Sequence, residues 1–118
     1  MQLIYIICII TYNFAMLLKN TLSHHVLFWL KNRGDLDLFI DGLHTLADIP
    51  SIRHYHVGKP AQTFDDVVDR TYDAGLLVLC DDVEALNAYH AHPIHDAFVE
   101  KYARPLVEKV VVHDAVNA

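Results

Sequence analysis

Apolar residues follow strand spacing and then helix spacing along the first part of the chain. The β-branched and aromatic run over residues 23–31 predicts a strand. Apolar residues three and four positions apart over residues 36–47 predict an amphipathic helix. This helix should end before Pro50, because proline disfavours helical geometry in the residue that precedes it.

Two further strands follow the first helix. Residues 51–59 alternate strictly, which predicts a strand with Ile52, His54 and His56 on one face. The apolar run over residues 71–80 predicts its hairpin partner.

The remaining residues predict a second helical region and a fourth strand. Helical spacing over residues 83–90 is interrupted at Pro93 and restarts over residues 94–102, before an apolar run over residues 107–113. The order β-α-β-β-α-β is that of the ferredoxin-like fold, an α+β arrangement with two helices on one face of a four-stranded sheet.

The predicted strands carry apolar residues on both faces, which changes this picture. In the first strand Val26, Phe28 and Leu30 lie on one face, and Leu27 and Trp29 lie on the other. Two helices cover one face, so the other would leave a large apolar patch on a monomer. The simplest cover is the same face of a second copy, which predicts a homodimer with two-fold symmetry. The alternative is that the N-terminal segment covers this apolar face.

Residues 1–20 stand apart as an apolar N-terminal extension, with the folded domain predicted over residues 21–118. Residues 1–18 carry no charged side chain. Three interpretations stay open: an extension that includes a mis-set start, with Met16 as the true start; an atypical signal; or a membrane anchor. A membrane partner is expected only if residues 1–18 act as an anchor.

Length, charge and cysteine content exclude several classes of protein. The 118 residues suffice for one domain, and 53% of them are hydrophobic. A net charge of −6 with neutral histidines argues against a nucleic-acid partner. Cys8 and Cys80 cannot form a disulfide framework, so a reducing, cytoplasmic location is expected. The sequence has neither a glycine-rich nucleotide-binding pattern nor an HExxH zinc pattern, and no cofactor is predicted.

Histidine is the unusual component, with nine in the chain, three of them in the block AYHAHPIHDAF. This block, together with SHHVLFWLK, LADIPSIRHYHVGK and RTYDAGLLVLC, resembles the stress-responsive dimeric α/β-barrel (Dabb) family over residues 22–116. The resemblance implies a ferredoxin-like protomer paired into a homodimeric α/β barrel. Its most specific part is the pattern AYxxHPxHxxF, filled here by Ala88, Tyr89, His92, Pro93, His95 and Phe98.

The resemblance also implies functions. Some plant members are stress-induced proteins, and one branch consists of polyketide cyclases in which a histidine and a tyrosine do acid–base work during an intramolecular aldol condensation. Matched position by position, the implied catalytic residues are His95, Tyr89 and His24. Two polar cavity positions of the cyclases fall on Gly42 and Ala74, so the cavity lining and substrate should differ.

His95 is the strongest candidate for a general base, because histidine exchanges a proton near neutral pH. An aldol cyclisation also needs a donor for the enolate oxygen, which Tyr89 would supply, with His24 assisting. The alternative is that His95 and His92 only cap the helix break at Pro93.

His90, His92 and His95 form a histidine-dense pattern that could suggest a metal site. Pro93 breaks the regular spacing that such ligands need, so no metal is predicted.

Three functions stay open. The first is a cyclase or lyase that acts on an aromatic or polyketide-like small molecule. The second is a non-catalytic, stress-associated dimeric protein, and the third is a cofactor-free, monooxygenase-like dimeric barrel. A cavity of several hundred cubic ångströms that receives His95 and Tyr89 would favour an enzyme, and a packed interior would favour the non-catalytic protein.

Overall fold

The structure, a computed structural model that describes residues 15–118, is built on a four-stranded antiparallel sheet. Its strands are β1 (Leu22–Leu30), β2 (Ile52–Gly58), β3 (Ala74–Cys80) and β4 (Val107–Val116). They lie in the order β2-β3-β1-β4, with β1 and β3 in the centre. Each neighbouring pair is antiparallel, as expected for a sheet with one face covered by helices.

The helices pack on one face of this sheet. They are α1 (Leu36–His44), α2 (Val83–Ala91) and α3 (Pro93–Phe98). Short 3-10 turns flank α1 at Arg33–Asp35 and Thr45–Asp48, and α3 continues through a π turn (Val99–Ala103) and the turn Arg104–Leu106 into β4. The order of strands and helices confirms the predicted ferredoxin-like β-α-β-β-α-β arrangement.

Short polar side chains fix where the helical segments begin. The Asp82 carboxylate accepts a hydrogen bond from the Ala85 amide at 2.9 Å, so α2 starts directly after β3. Asn32 caps the 3-10 turn that precedes α1 in the same way, through the Gly34 amide. Both caps satisfy amides that have no partner within the helix.

The core lies between the helices and the sheet. Every second residue of β1 from Leu22 to Leu30 is buried, and β3 buries Leu76 and Val78 on the same side. Phe39 and Leu43 of α1 pack into this layer without solvent exposure.

The other sheet face, which we call the open face, is half-buried in the single chain. The strand register aligns its apolar residues Leu27, Trp29, Leu77, Leu79 and Val111. Exposed histidines occupy the same face. They are His25, His54, His56 and His113. Both sheet faces therefore carry apolar side chains, as the strand composition predicts.

A bulge in β2 changes one predicted face. The register shifts between Ile52 and His54, so Ile52 lies opposite Cys80 on the helix side, while His54 and His56 lie on the open face. Alternation predicts all three on one face, but the extra residue Arg53 reverses the side of Ile52. Arg53 forms an ion pair with Asp81 beside the sheet, with Nε 2.8 Å from Oδ1.

Residues 1–14 of the predicted N-terminal extension (residues 1–20) lie outside the described residues. The segment that follows is held by the C-terminus, because the Asn117 amide donates to the Leu18 carbonyl at 2.5 Å and its oxygen accepts from the Thr21 amide at 2.9 Å. Across residues 15–118, every helix is too short or too polar to cross a bilayer.

Candidate active site

A cavity of about 210 Å³ lies between the helices and the β1–β4 side of the sheet. Its polar wall consists of His24, Tyr89, His90 and His95. Its apolar wall includes Phe28, Phe98, Val110 and Val112. The three residues implied by the family resemblance, His24, Tyr89 and His95, therefore meet in one cavity.

His24 is held by a carboxylate from the neighbouring strand. It lies opposite Asp114 in the β1–β4 register, and Nδ1 is 2.5 Å from the Asp114 Oδ1. The His24 side chain is 7% exposed and that of Asp114 is 44% exposed. An ionised carboxylate can only accept a hydrogen bond, so Nδ1 carries the hydrogen and donates it. This bond orients the His24 ring and assigns the hydrogen to Nδ1.

Tyr89 of α2 lies at the centre of the polar wall. It is 1% exposed, and its ring centroid is 4.9 Å from that of His95 and 5.9 Å from that of His24. Burial raises the pKa of the Tyr89 phenol well above its usual range. The hydroxyl therefore keeps its proton at physiological pH and is available as a hydrogen-bond donor.

His95 of α3 is a neutral base at the cavity wall. Its ring centroid lies 6.4 Å from that of Phe98. Burial lowers the pKa of His95 and the neighbouring His90 lowers it further, while Asp96 opposes both effects. The imidazole is therefore uncharged at neutral pH, with one ring nitrogen available to accept a proton.

Of His92 and His95, the two candidate caps of the helix break at Pro93, His92 is the one that caps α3. Its Nδ1 accepts a hydrogen bond from the Ile94 amide at 3.1 Å, and Pro93 occupies the first helical position of α3. In the part of the chain that the structure describes, the side chain of His95 makes no such bond. The cap interpretation thus applies to His92, and His95 lines the cavity instead.

Two residues of the site were not among the predicted catalytic residues. His90 of α2 lies with its ring centroid 5.0 Å from that of His24 and 5.1 Å from that of His95. Burial lowers the pKa of His90, His24 lowers it further, and Asp114 opposes this. In the sequence His90 directly follows Tyr89, and this adjacency could have identified it as a residue of the site.

Nothing in the sequence pointed to Asp114, because it reaches His24 only through a strand pairing that spans 90 residues.

The two positions that the resemblance assigned to the cavity lie elsewhere. Gly42 of α1 packs against the ring of Tyr102, and Ala74 is fully buried in the core. Neither lines the cavity, and the polar residues that do, among those described, come from β1, α2 and α3.

His90, His92 and His95 are the histidines that the sequence offers as metal ligands. Between residues 15 and 118, no group of three or more His, Cys, Asp or Glu side chains is arranged to hold a metal ion. The cavity brings together a neutral base, a phenol donor and a carboxylate-bound histidine.

Comparison with solved structures identifies similar folds. A Dabb family protein with a ferredoxin-like fold from Mesorhizobium loti is 27% identical with a TM-score of 0.69, over 83% of this chain and 97% of that chain. A dimeric protein of unknown function from Bacteroides fragilis is 20% identical with a TM-score of 0.67, over 86% and 100% of the two chains. The cofactor-independent oxygenase SnoaB from Streptomyces nogalater is 9% identical with a TM-score of 0.61, over 83% and 93%.

Sequence comparison assigns the family directly. No curated protein is significantly similar to this chain. The sequence model of the stress responsive A/B barrel domain matches residues 22–117, which include all four strands and the whole candidate site. This chain belongs to the stress responsive A/B barrel (Dabb) domain family.

Proposed function

We propose that this protein is a homodimeric barrel that binds an aromatic or polyketide-like small molecule and promotes acid–base cyclase or lyase chemistry on it. The observation that carries the proposal is the convergence of His24, Tyr89 and His95 on one cavity, with Asp114 bound to His24. Membership of the Dabb family agrees with it, because one branch of that family performs this chemistry.

His95 acts as the base in this proposal. Its neutral imidazole removes a proton from a carbon between two carbonyl groups of the substrate, and the resulting carbanion attacks a third carbonyl of the same molecule. Tyr89 donates a hydrogen bond to the enolate oxygen that forms. The alkoxide product takes its proton back from the imidazolium of His95, which restores the neutral base. The His24 ring, oriented by Asp114, assists from the same polar wall.

The size of the cavity supports a second candidate function. Small-molecule sites usually occupy about 300–1,000 Å³, and the 210 Å³ here lies below that range. A non-catalytic, stress-associated dimer with a nearly packed interior fits this volume. The cofactor-free monooxygenase function ranks third, because the similarity to an oxygenase at 9% identity supports the fold alone.

The open face is the proposed dimer seam. It carries five half-buried apolar residues that the helices do not cover, and the similar protein from Bacteroides fragilis is described as dimeric.

We also propose a cytoplasmic location, which suits the free thiol of Cys80 in the core.

A ligand screen tests the function. Thermal unfolding of the full chain is measured with a panel of aromatic β-keto compounds that carry at least three carbonyl groups, and hits are then assayed for turnover. We expect hits that stabilise the protein, and His95→Ala should abolish their turnover. The control His44→Ala removes an exposed histidine outside the cavity, whose Nδ1 lies 3.1 Å from the Tyr55 hydroxyl, and should retain full turnover. A panel without any hit would favour the non-catalytic dimer.

A further inference from the structure

A second cavity, which we call the basic pocket, lies at the end of the sheet where β1 and β2 end and β3 begins. Its volume is about 350 Å³, and it shares no lining residue with the candidate active site. The charged residues that line it are Arg33, Lys59, Arg70 and Asp73. It contains three of the nine Lys and Arg residues of a chain whose net charge is −6.

The only carboxylate of the lining is already engaged. The Asp73 side chain is 10% exposed, its Oδ2 accepts a hydrogen bond from the Leu30 amide at 2.8 Å, and its Oδ1 lies 3.3 Å from Nε of Arg33. Three cations against this one carboxylate leave two uncompensated positive charges in the pocket. Like charges held together repel one another, and a bound anion relieves that repulsion.

The side chains of the pocket are partly ordered for binding. The Arg70 guanidinium lies 4.1 Å from the centre of the Phe64 ring, and Nε of Arg33 lies 3.3 Å from Oδ1 of Asp73. A planar guanidinium presents two parallel donors, which match the oxygens of a phosphate. Gln62 and Tyr72 add neutral polar groups to the same lining.

Among the described residues, the acidic side chains of the β2–β3 loop form no ion pair with the cations of the pocket. Asp65, Asp66 and Asp69 are outside the lining. The Asp69 carboxylate accepts hydrogen bonds from the Thr71 amide and hydroxyl at 2.8 and 2.6 Å. These carboxylates flank the pocket on the same loop and would repel a long polyanion, which favours a small ligand over a nucleic acid.

We infer that the basic pocket binds the phosphate group of a small organic phosphate monoester. A phosphate monoester carries a charge of about −1.5 to −2 at pH 7, which matches the two uncompensated cations, whereas a carboxylate or a sulfate ester carries one negative charge. The apolar side chains Leu36 and Pro60 in the lining give the organic part of the ligand a surface to contact.

Calorimetric titration of the full chain at low ionic strength tests this inference, with inorganic phosphate, phenyl phosphate and phenyl sulfate as probes. Phenyl phosphate should bind more tightly than phenyl sulfate, and more tightly than inorganic phosphate because of its ring. Arg70→Gln and Lys59→Gln should each weaken phenyl phosphate binding about tenfold or more, because each removes a charge-assisted hydrogen bond.

The matched control is Arg104→Gln, which removes one positive charge at an exposed i,i+4 pair with Glu100 outside the pocket. It should change the affinity less than twofold, and His95→Ala should leave it unchanged because the two cavities are separate. Thermal unfolding confirms that each variant is folded. The inference is overturned if phenyl phosphate does not bind at millimolar concentration, if phenyl sulfate binds equally well, or if Arg104→Gln weakens binding as much as Arg70→Gln.

Discussion

His92 and His95 lie three residues apart in one motif, yet their side chains have different surroundings. His92 caps α3 through the Ile94 amide, and His95 faces the cavity. His92→Ala should therefore lower the free energy of unfolding by about 0.5–2 kcal/mol, the usual cost of a lost N-cap. Urea denaturation monitored by circular dichroism measures this.

Asparagine provides the matched control at this position, because it is among the best N-cap residues. His92→Asn should recover most of the stability that His92→Ala loses. Equal stability of the two variants would contradict the capping role of His92.

The cavity histidines His90 and His95 make stability depend on pH. Their pKa values in the folded protein are lowered by burial, whereas a histidine in the unfolded chain has a pKa of about 6.5. As the pH falls through 6.5, the unfolded chain takes up protons that the folded chain resists, so the free energy of unfolding falls. The loss continues until the pH reaches the lowered folded pKa values.

The measurement is a series of urea denaturations at pH 7.5, 6.5 and 5.5 (about one unit apart, to span the histidine range). The comparison is with the double variant His90→Gln/His95→Gln, which keeps the other seven histidines of the chain. Its stability should fall less over this interval than that of the wild type. An identical decrease in both proteins would show that other groups cause the pH dependence.

At the scale of elements, the periodicity of the sequence predicts the four strands and the helices in their order, but not all of their bounds. The predicted helix over 36–47 becomes α1 followed by a 3-10 turn, and the predicted strand over 71–80 begins at Ala74. Asp73 explains the later start, because its carboxylate binds the Leu30 amide. Such bonds depend on partners distant in sequence, which periodicity does not report.

The π turn at Val99–Ala103 was also beyond prediction, because apolar spacing does not distinguish one type of helical turn from another. Its position matters for the site, since Val99 and Ala103 line the active-site cavity. π turns within helices often occur at functional sites. The family resemblance implied His24, Tyr89 and His95 position by position, which is why they could be named without the geometry.

Gly42 of α1 is required by the close approach of Tyr102. A methyl group at this position would lie 2.6 Å from Cδ1 and 2.7 Å from Cδ2 of the Tyr102 ring. In an unobstructed helix interior, alanine in place of glycine stabilises by about 1 kcal/mol. Here Gly42→Ala should instead lower the free energy of unfolding by about 1–3 kcal/mol, as overpacking does. Urea denaturation shows directly whether Gly42→Ala lowers or raises the free energy of unfolding.

A double-mutant cycle identifies the cause of that effect. In a Tyr102→Ala background the ring is absent, so the further change Gly42→Ala should be neutral or stabilising. A destabilisation of the same size in both backgrounds would show that the Tyr102 ring is not the obstacle.

At the scale of the whole molecule, strand register connects residues that the sequence separates widely. The same β1–β4 pairing that brings Asp114 to His24 on the helix side aligns Leu27 with Val111 on the open face. One edge strand therefore contributes to both the candidate site and the proposed dimer seam. The cavity walls Val110 and Val112 are about half exposed at this edge, so the site is next to the surface that a second copy would approach.

A charged residue on the open face should prevent the pairing of two copies. Leu77 and Val111 both lie on the open face, so a charge at either position would be buried between two copies without a partner. Sedimentation velocity at micromolar concentration should give twice the mass of one chain for the wild type, and the mass of one chain for Leu77→Asp and for Val111→Asp. The control Val67→Asp adds the same charge at a side chain that is 94% exposed, and it should remain dimeric. A folded wild-type monomer, or folded dimers of both Leu77→Asp and Val111→Asp, would exclude the open face as the seam.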